Sequence, residues 1–512
     1  MRLRLVLVVI LTLFRPALAW AHLGSPDVFY DGMAGPWPTR VTIHMPVVVP
    51  GRAEILVRVE SKEAVEVTFQ PLFSRTAVSN TPPPEAAEPV RGDPGLYHGQ
   101  LWLMTSGAYS ILVRIRGPAG EAAVQIPVNS VATAQLPLPP SLGRVLLALG
   151  LILFCGGIAI VAAAAGESAL PPGVSLGGKD LRKYWIAAGV TGAVFVLALV
   201  GGRKWWRAEE MDFRARLREG GWPELAATAR VEGSQRLLSL TLGSSTQPQL
   251  DLAPDHGKLL HLFLVSQPGH QAFGHVHPVR RGDRSFEVTL PPLPEGDYEL
   301  FCDLTFASGF SSTATNLVHL PAPPRSPAPM ALAPDPDDSW TADAVVAGQE
   351  TPGADTICPL PGGGRIIWKA HPPTRSKQDT ALQFEVLAPD GQPANLQPYM
   401  GMMSHAEVLR ADGLVFEHLH PSGNYSMAAQ ILFDKKMARE AGEATRVAQL
   451  DLGRTDSWCG RAGTHSGEGA LISFPYAFPT PGRYRLWVQV KTDNQVRTAV
   501  FDTVVKEEEP AL

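Results

Sequence analysis

The sequence predicts a mainly β protein with three Ig-like antiparallel β-sandwich domains, two transmembrane helices and an N-terminal signal peptide. Short alternating apolar stretches, separated by proline and glycine turns, recur on both sides of two long apolar runs. This alternation is typical of antiparallel sandwiches. The chain has 512 residues, including 47 prolines and 48 glycines, which suits several domains built from short strands rather than from long helices.

Composition excludes several classes of protein. An apolar content of 45 % excludes wholesale disorder. The 44 basic and 49 acidic residues leave a net charge of −5, so no global positive charge indicates nucleic-acid binding. Four cysteines are too few for a disulfide scaffold. Cys358 and Cys459 lie in one extracytoplasmic domain, where a disulfide can form, whereas Cys302 would stay free and Cys155 lies in a membrane span.

Residues 1–21 are typical of a cleaved secretory signal peptide. Two arginines precede the apolar run at residues 5–14, and an A-x-A site ends at Ala21. That run is too short to span a bilayer comfortably. Cleavage after Ala21 would make His22 the mature N-terminus, whereas cleavage after Ala19 would not.

Two uncharged apolar runs, at residues 145–165 and 184–202, predict transmembrane helices; a buried helical hairpin of a soluble protein is the alternative. The signal peptide places the N-terminal part outside the cytoplasm, so residues 166–183 form a short cytoplasmic loop. Basic residues flank the second run on both sides, and charge therefore does not decide the orientation. We expect the bacterial inner membrane, with the lipid bilayer as a partner and most of the chain on the periplasmic side.

The extracytoplasmic residues divide at changes in composition. Residues 22–135 predict one sandwich, and residues 214–218 predict a short interfacial helix beyond the second span. Residues 222–320 predict a second sandwich, and a proline-rich linker follows at residues 321–338. Residues 340–506 predict a third sandwich, into which a helix at residues 434–446 is inserted.

The second and third sandwiches resemble diverged copies of one module. In the second, thirteen residues separate His261 from His275-Val276-His277-Pro278. In the third, twelve residues separate His405 from His418-Leu419-His420-Pro421. Proline and glycine residues typical of turns follow both motifs in the same order, which indicates a duplication.

The third sandwich allows a geometric prediction. Asp412-Gly413 between apolar runs predicts a two-residue hairpin turn, which places His405 opposite His420 and Glu407 opposite His418. Strand alternation then puts all four side chains on one face of the sheet. Directly opposed Cβ atoms lie about 4.5–5.5 Å apart, which is close enough for the imidazoles to share a metal ion.

These residues predict two metal sites of unequal strength. His405, His418 and His420 would be ligands of the fuller site, with Met403 or Glu407 completing or orienting it. Imidazoles with a thioether suit copper, and three imidazoles also suit zinc. The lesser site would use the histidines of the second sandwich, which are His261, His275 and His277. The alternative is that all these histidines only stack or hydrogen-bond.

His22 carries a separate hypothesis. A terminal histidine can chelate copper through its amine and Nδ1, and His44 or His98 could complete the ligand set. No spacing connects these residues, and an ordinary surface terminus is the alternative.

The segment from Leu396 to His405, with the sequence LQPYMGMMSH, together with His418-Leu419-His420-Pro421, is similar to YtkA-like and FixH-like secreted bacterial β-sandwich modules. This resemblance covers the two C-terminal sandwiches. It implies a sandwich fold and a role associated with metal, often alongside copper-handling proteins, but no established reaction. The N-terminal His22 resembles the terminal histidine of CopC-like copper carriers.

The leading hypothesis is a non-enzymatic, membrane-anchored copper-binding protein that captures metal or delivers it to a membrane or periplasmic metalloprotein. Phosphate-binding loops, a G-x-S-x-G motif and an H-E-x-x-H motif are absent from the sequence. A structural or interaction scaffold, whose histidines only pack, is the alternative. A copper oxidase that uses His22 is a third hypothesis, and it requires cleavage after Ala21.

Overall fold

A computed structural model describes residues 25–61, 63–133, 136, 138–168, 170–171, 173–219, 223–243, 250–324, 335–348, 353–370, 374–449 and 470–508. The chain forms two compact units, of which one comprises residues 134–220 and the other comprises the remainder on both sides of it. The predicted signal peptide and His22 lie outside the described residues.

The smaller unit is a pair of helices, α1 (Pro140–Glu167) and α2 (Gly178–Glu219). Both are long and apolar enough to cross a membrane, and they contact each other through Phe154 and Phe195, whose ring centroids are 5.6 Å apart. Both helices extend beyond the predicted spans. Residues 214–218 belong to the end of α2 and do not form the separate interfacial helix that the sequence predicted.

The larger unit is mainly β and begins with the N-terminal sheet pair. One sheet has the strand order β1-β2-β3-β7-β6 and the other β5-β4-β8-β9. Alternating residues of β3 (burial in every second position) point into a shared apolar core. The strands are β1 (Val28–Ala34), β2 (Trp37–His44), β3 (Gly51–Val59), β4 (Glu66–Phe73), β5 (Glu85–Ala86), β6 (Glu88–Pro89), β7 (Leu96–Leu103), β8 (Gly107–Gly117) and β9 (Gly120–Ser130).

The middle sheet pair follows α2. Its first sheet has the order β10-β11-β16-β15, and its second has the order β12-β17-β13-β14-β19, with β18 also paired to β17. The strands are β10 (Leu225–Glu232), β11 (Gln235–Leu242), β12 (Leu252–Ala253), β13 (His261–Gln267), β14 (Phe273–Val276), β15 (Val279–Arg280), β16 (Ser285–Thr289), β17 (Gly296–Phe306), β18 (Ser311–Leu320) and β19 (Ser339–Thr341). Because β19 pairs with β14, residues 339–341, which directly follow the predicted linker, belong to this sheet and not to the C-terminal sheet pair.

The C-terminal sheet pair has the orders β21-β22-β23-β26 and β20-β28-β27-β24-β25. Its strands are β20 (Val346–Gly348), β21 (Thr356–Pro359), β22 (Arg365–Trp368), β23 (Thr380–Leu387), β24 (Ser404–Arg410), β25 (Phe416–Leu419), β26 (Leu471–Tyr476), β27 (Gly482–Thr492) and β28 (Gln495–Val505). The predicted helical insertion is present as α3 (Met427–Glu440) and α4 (Ala444–Gln449). Helix α3 begins earlier than predicted because Ser426 caps it by accepting a hydrogen bond from the Ala429 N–H.

The two C-terminal sheet pairs share one ladder, as a duplication requires. Strands β18-β17-β13-β14 correspond to β28-β27-β24-β25 in order and direction. His261 pairs with Asp303 on β17, and His405 pairs with Gln489 on β27. His261 and His405 are therefore equivalent positions.

The duplicated sheets pack face to face. Every residue of β24 from Ser404 to Leu409 is buried, because alternate residues enter the C-terminal core and the others meet the middle sheet pair. Phe301 stacks on Phe416 at 4.2 Å, and Phe273 stacks on Trp487 at 4.7 Å. This apolar contact holds the two histidine hairpins against each other.

The N-terminal sheet pair also packs against the C-terminal one. Met402, Tyr425, Met427 and Ile431 belong to its apolar core, and the Asp31 N–H donates to the Ser422 carbonyl oxygen. All three sheet pairs thus belong to one compact unit.

Candidate metal centre

The register predicted for the hairpin of the third sandwich is confirmed, since Glu407 pairs with His418 across β24 and β25. At the equivalent place in the middle sheet pair, Phe263 pairs with His275 across β13 and β14. The turn near Asp412 is wider than predicted, since residues 411–415 all lie outside the strands. His405 and His420 still meet, and their ring centroids are 5.1 Å apart.

Among the residues that the structure describes, seven imidazoles form one continuous cluster between the two sheets. The shortest contacts between ring centroids include 4.8 Å for His275 and His277, 4.6 Å for His418 and His420, and 5.5 Å for His261 and His418 across the interface. The members are His256, His261, His275, His277, His405, His418 and His420. The two sites that the sequence assigned to separate sandwiches are therefore adjacent.

The first group consists of His261, His275 and His277, which all lie in the middle sheet pair. Nitrogen atoms from the three rings lie within 4.8 Å of one another. His261 Nδ1 and His275 Nε2 are 3.3 Å apart. Two nitrogens that each lie about 2.0–2.1 Å from one tetrahedral ion are themselves about 3.3 Å apart, so this pair already has the separation of two ligands.

Each ring of the first group bonds an acceptor through its other nitrogen. His261 Nε2 lies 3.1 Å from the Asp255 carbonyl oxygen, and His275 Nδ1 lies 3.0 Å from Gln489 Oε1. His277 Nδ1 lies 2.9 Å from Asp338 Oδ1, while its Nε2 is buried without a partner. Ligand histidines almost always donate their second ring N–H to such acceptors, which fix the tautomer and the ring orientation.

The second group consists of His256, His405 and His420, and it crosses between the sheet pairs. Its nitrogen atoms also lie within 4.8 Å of one another. The His256 ring bonds the Met400 carbonyl and leaves Nε2 unpaired. Both nitrogens of His405 and of His420 are buried without a hydrogen-bond partner. Each such atom costs about 1–3 kcal/mol, which a bound cation would offset.

His256 was missed by the sequence analysis, which sought only the H…H-x-H-P spacing. His256 and Gly257 have φ values of 51° and 79°, as in the tight turns in which both central residues are left-handed. Asp255 and Lys258 close this turn with two backbone hydrogen bonds. A His-Gly pair shortly before His261 was the available signal, but its partners are distant in sequence.

His418 belongs to neither group but lies between them. Its ring centroid is 5.5 Å from that of His261 and 5.4 Å from that of His405. Its Nε2 has no partner, and its Nδ1 is 3.6 Å from Asp303 Oδ2. His418 can therefore contact an ion in either group.

Of the two other predicted ligands, Glu407 lies in the cluster. Its carboxyl group is fully buried, has no hydrogen bond and is 3.7 Å from His275 Nδ1. Burial raises its pKa well above the usual value, with a further contribution from Asp303, so a nearby cation would favour its ionised form. Met403 is half-buried and lies one residue before β24, and the nearby Met402 packs in the N-terminal core.

The electrostatics favour neutral imidazoles, which are the form that binds metal. Burial is the largest cause that lowers the pKa of every histidine in the cluster, and neighbouring histidines lower it further in most. Burial raises the pKa of Asp338 to about 7 and that of Asp303 to about 6. Asp338 lies beside His277 and Asp303 beside His418, but neither acid is a member of a three-histidine group.

A further set, His277 with Asp335 and Asp338, also has metal-ligand spacing. Its carboxylates already have partners. Asp335 forms an ion pair with Lys258, and Asp338 accepts hydrogen bonds from the ring and the backbone of His277. These contacts suit an outer shell around His277 better than a separate site.

The remaining predicted residues lie elsewhere. His44 is hydrogen-bonded to Asp27, and His98 to Glu54 on the surface. Cys302 and Cys358 are buried free thiols, and Cys155 lies in α1. Cys459, the predicted disulfide partner of Cys358, lies outside the described residues.

The comparisons name no function. A family described as "Domain of unknown function (DUF8832)" matches residues 223–320 and 362–507, which contain the motif histidines of both sheet pairs and His256. No curated protein matches this chain.

Several solved structures are distantly similar. PorU from Porphyromonas gingivalis is 10 % identical with a TM-score of 0.14, and the alignment covers 91 % of this chain and 32 % of PorU, so the chain spans about a third of its length. A putative membrane anchored protein from Corynebacterium diphtheriae is 9 % identical with a TM-score of 0.13, covering 95 % of this chain and 97 % of that protein. Likenesses this weak carry no functional argument.

Proposed function

We propose that this chain is a membrane-anchored, extracytoplasmic metal-binding protein that holds copper in the histidine cluster and acts in metal capture or delivery. The observation that supports this most strongly is the first group. Its three ring nitrogens converge, and the opposite nitrogen of each ring bonds an acceptor. Packing alone does not require both features at once, whereas metal ligation does.

The cluster has capacity for two ions per chain. The two groups share no residue, and each offers three neutral imidazoles, a donor set that suits copper and also zinc. His418 and Glu407 supply a further nitrogen and a carboxylate at the same place.

A purely structural scaffold, the alternative function, would leave the free-energy cost of many unpaired buried polar atoms without compensation. Nitrogen atoms of five cluster histidines, and both oxygens of Glu407, are buried without hydrogen bonds. Stacked histidines in a structural interface would retain this penalty of about 1–3 kcal/mol per atom. A bound cation would remove much of it.

The cellular setting follows from the sequence together with the helical unit. The helices α1 and α2 are compatible with association with a lipid bilayer. With a cleaved signal peptide, the cluster would lie on the periplasmic side of a bacterial inner membrane. There it would act without enzymatic chemistry of its own, and the recipient of its metal would be a membrane or periplasmic metalloprotein.

The test is a metal titration of the full chain in detergent, after removal of metal by a chelator. The full chain is required because the C-terminal sheet pair buries one face against the middle sheet pair. Anaerobic Cu(I) and, separately, Zn(II) are titrated and followed by calorimetry. We expect two ions per chain, with tighter binding of Cu(I).

Two triple variants and one control assign the sites. His261, His275 and His277→Gln should remove one ion, and His256, His405 and His420→Gln should remove the other. The control is His98→Gln together with His319→Gln, which alters two surface histidines that form ion pairs with carboxylates. Binding by both triple variants equal to that of the control, with circular dichroism unchanged, would leave the scaffold function.

His22 remains a third source of ligands. Ser25, the first described residue, lines a cavity that also contacts His261, His418 and His420, and three extended residues span about 10 Å. We propose that a mature chain starting at His22 adds its terminal amine and imidazole to this cluster. Mass spectrometry of the mature N-terminus tests this idea, which fails when another residue comes first.

A further inference from the structure

A cavity of about 160 Å³ lies at the junction of the three sheet pairs, next to the histidine cluster. The N-terminal sheet pair contributes residues 25–28 and part of β9 to its wall, and the other two sheet pairs contribute the rest. Asp27 and Asp303, both in the wall, keep 21 % and 24 % of their side-chain surface exposed. The wall of the cavity therefore includes both partly exposed carboxyl groups and the buried rings of His261, His418 and His420.

The charge of this wall has one sign. Besides histidines and Tyr425, the ionisable residues among the described ones that line it are four carboxylic acids, Asp27, Asp255, Asp303 and Glu417, with no lysine or arginine. Clefts lined by a single sign of charge concentrate counter-ions and raise association rates by about 10–10³-fold. The wall is therefore suited to a cation.

All four carboxyl groups accept hydrogen bonds, and Asp27 accepts one from the Met45 N–H. The Ser25 N–H donates to Glu417 Oε2 at 2.6 Å, and the Thr313 hydroxyl donates to Asp303 Oδ1 at 2.6 Å. The Ala428 N–H, in the first turn of α3, donates to Asp255 Oδ1 at 3.0 Å. The remaining oxygen of Asp303, Oδ2, points at His418 Nδ1 from 3.6 Å.

The inner end of the cavity meets unpaired buried nitrogens. His418 Nε2 and both ring nitrogens of His420 have no hydrogen-bond partner, and both residues line the cavity. His418 also contacts rings of both three-histidine groups. An ion that reaches His418 is therefore in contact range of either group.

We propose that this acidic cavity is the route by which a metal cation enters and leaves the cluster, with Asp303 and His418 as the pair that passes the ion inward. This inference rests on the proposed function and adds its access route. The N-terminal sheet pair then has a role in exchange, because its residues 25–28 form one wall of the route.

The experiment compares the rate of loading with the final occupancy in the metal-free full chain. Cu(II) is mixed rapidly with the protein, and its visible absorption on coordination is followed in time. Asp303→Asn removes the charge beside His418 and should slow loading about 10-fold, while two ions per chain are still bound at equilibrium. The wild-type rate should fall as ionic strength rises, and the rate of the variant should fall less.

Two further variants separate charge from packing. Thr313→Val removes the hydroxyl that bonds Asp303 but keeps the carboxylate, and it should load within about twofold of wild type. Asp297→Asn alters a surface carboxylate that pairs with His319, and it should load at the wild-type rate.

The outcomes are distinct. An Asp303→Asn rate equal to that of wild type overturns the route. A lower stoichiometry with an unchanged rate makes Asp303 a ligand, which also overturns the route. A wild-type chain that binds no copper overturns the proposed function itself, before any rate is measured.

Discussion

The two three-histidine groups differ although they arise from equivalent positions of a duplicated sheet. By strand register, His405, His418 and His420 correspond to His261, His275 and His277. The first group keeps all three residues of its own copy. In the second group, however, His256 from the opposite sheet pair takes the place that His418 would occupy.

The first group is thus formed within one sheet pair, whereas the second group forms only where two sheet pairs pack against each other. In the first group, Asp255, Gln489 and Asp338 fix the rings, so the ligands are oriented before an ion arrives. In the second group, the ring nitrogens of His405 and His420 have no hydrogen-bond partner, and the rings are held by packing between the sheets. We therefore expect the first group to bind more tightly and the second group to depend on the interface.

The largest effect is expected from a substitution that weakens the packing between the middle and C-terminal sheet pairs. Phe416 stacks on Phe301 and is 2 % exposed, so Phe416→Ala should reduce the free energy of unfolding by about 3–5 kcal/mol. Metal content should fall from two ions to one, because the second group loses its alignment. Denaturant unfolding of the full chain and elemental analysis measure the two effects.

The matched control for loosening is Phe69→Ala, which alters a fully buried ring in the N-terminal core. It should cost a similar free energy while two ions remain bound. Equal loss of metal in both variants would contradict the role assigned to docking.

A smaller effect should distinguish the first group alone. Asp338→Asn changes the acceptor of the His277 ring N–H, and loss of such a partner typically weakens metal binding by about 10–100-fold. Competition with a chromophoric chelator measures the change for each ion separately. We expect the tighter site to weaken while the other keeps its affinity.

Asp297→Asn is the control for this change, since Asp297 bonds the exposed His319 in the same way at 2.7 Å. An equal shift of both sites in Asp338→Asn would contradict the division into two groups.

The smallest effect concerns the metal-free protein in acid. Folded-state pKa values of the seven cluster histidines are lowered by burial, so the unfolded chain binds more protons below its ordinary histidine pKa of about 6.5. Their contribution to stability is complete above that pH and is lost as the pH falls. Stability should therefore decline from pH 6.5 to 5.

Buried carboxyl groups oppose this trend, because burial raises the pKa of Asp303 to about 6, of Asp338 to about 7 and of Glu417 to about 8, and raises that of Glu407. These groups stabilise the folded state as the pH falls through those values. Since more histidines than carboxyls are involved, we expect a net slope of at least one proton, about 1.4 kcal/mol per pH unit. Thermal unfolding between pH 5 and 6.5 measures it, and a flat or inverted profile in that range would contradict it.

Local pattern was sufficient for much of the fold. Alternation of apolar and polar residues predicted strands, and the length of the apolar runs predicted the two helices, because both properties depend on neighbours in sequence. Asp412-Gly413 likewise predicted which residues of β24 and β25 face each other, since a short turn fixes hairpin register. The predicted ends of the helices were less accurate. Ser426 caps α3 and starts it earlier than predicted, and α2 continues beyond residue 202. The apolar runs used for the prediction contain neither signal.

The sequence by itself determined that the chain is mainly β with two apolar helices, and that histidines repeat on one face of each duplicated hairpin. Only the tertiary structure decided that these faces meet, that His256 joins the second group and that an acidic cavity lies beside them. The physical reason is that strand register follows from contacts a few residues apart. Docking of two sheets, in contrast, depends on apolar pairs such as Phe301 with Phe416, whose members are far apart in sequence.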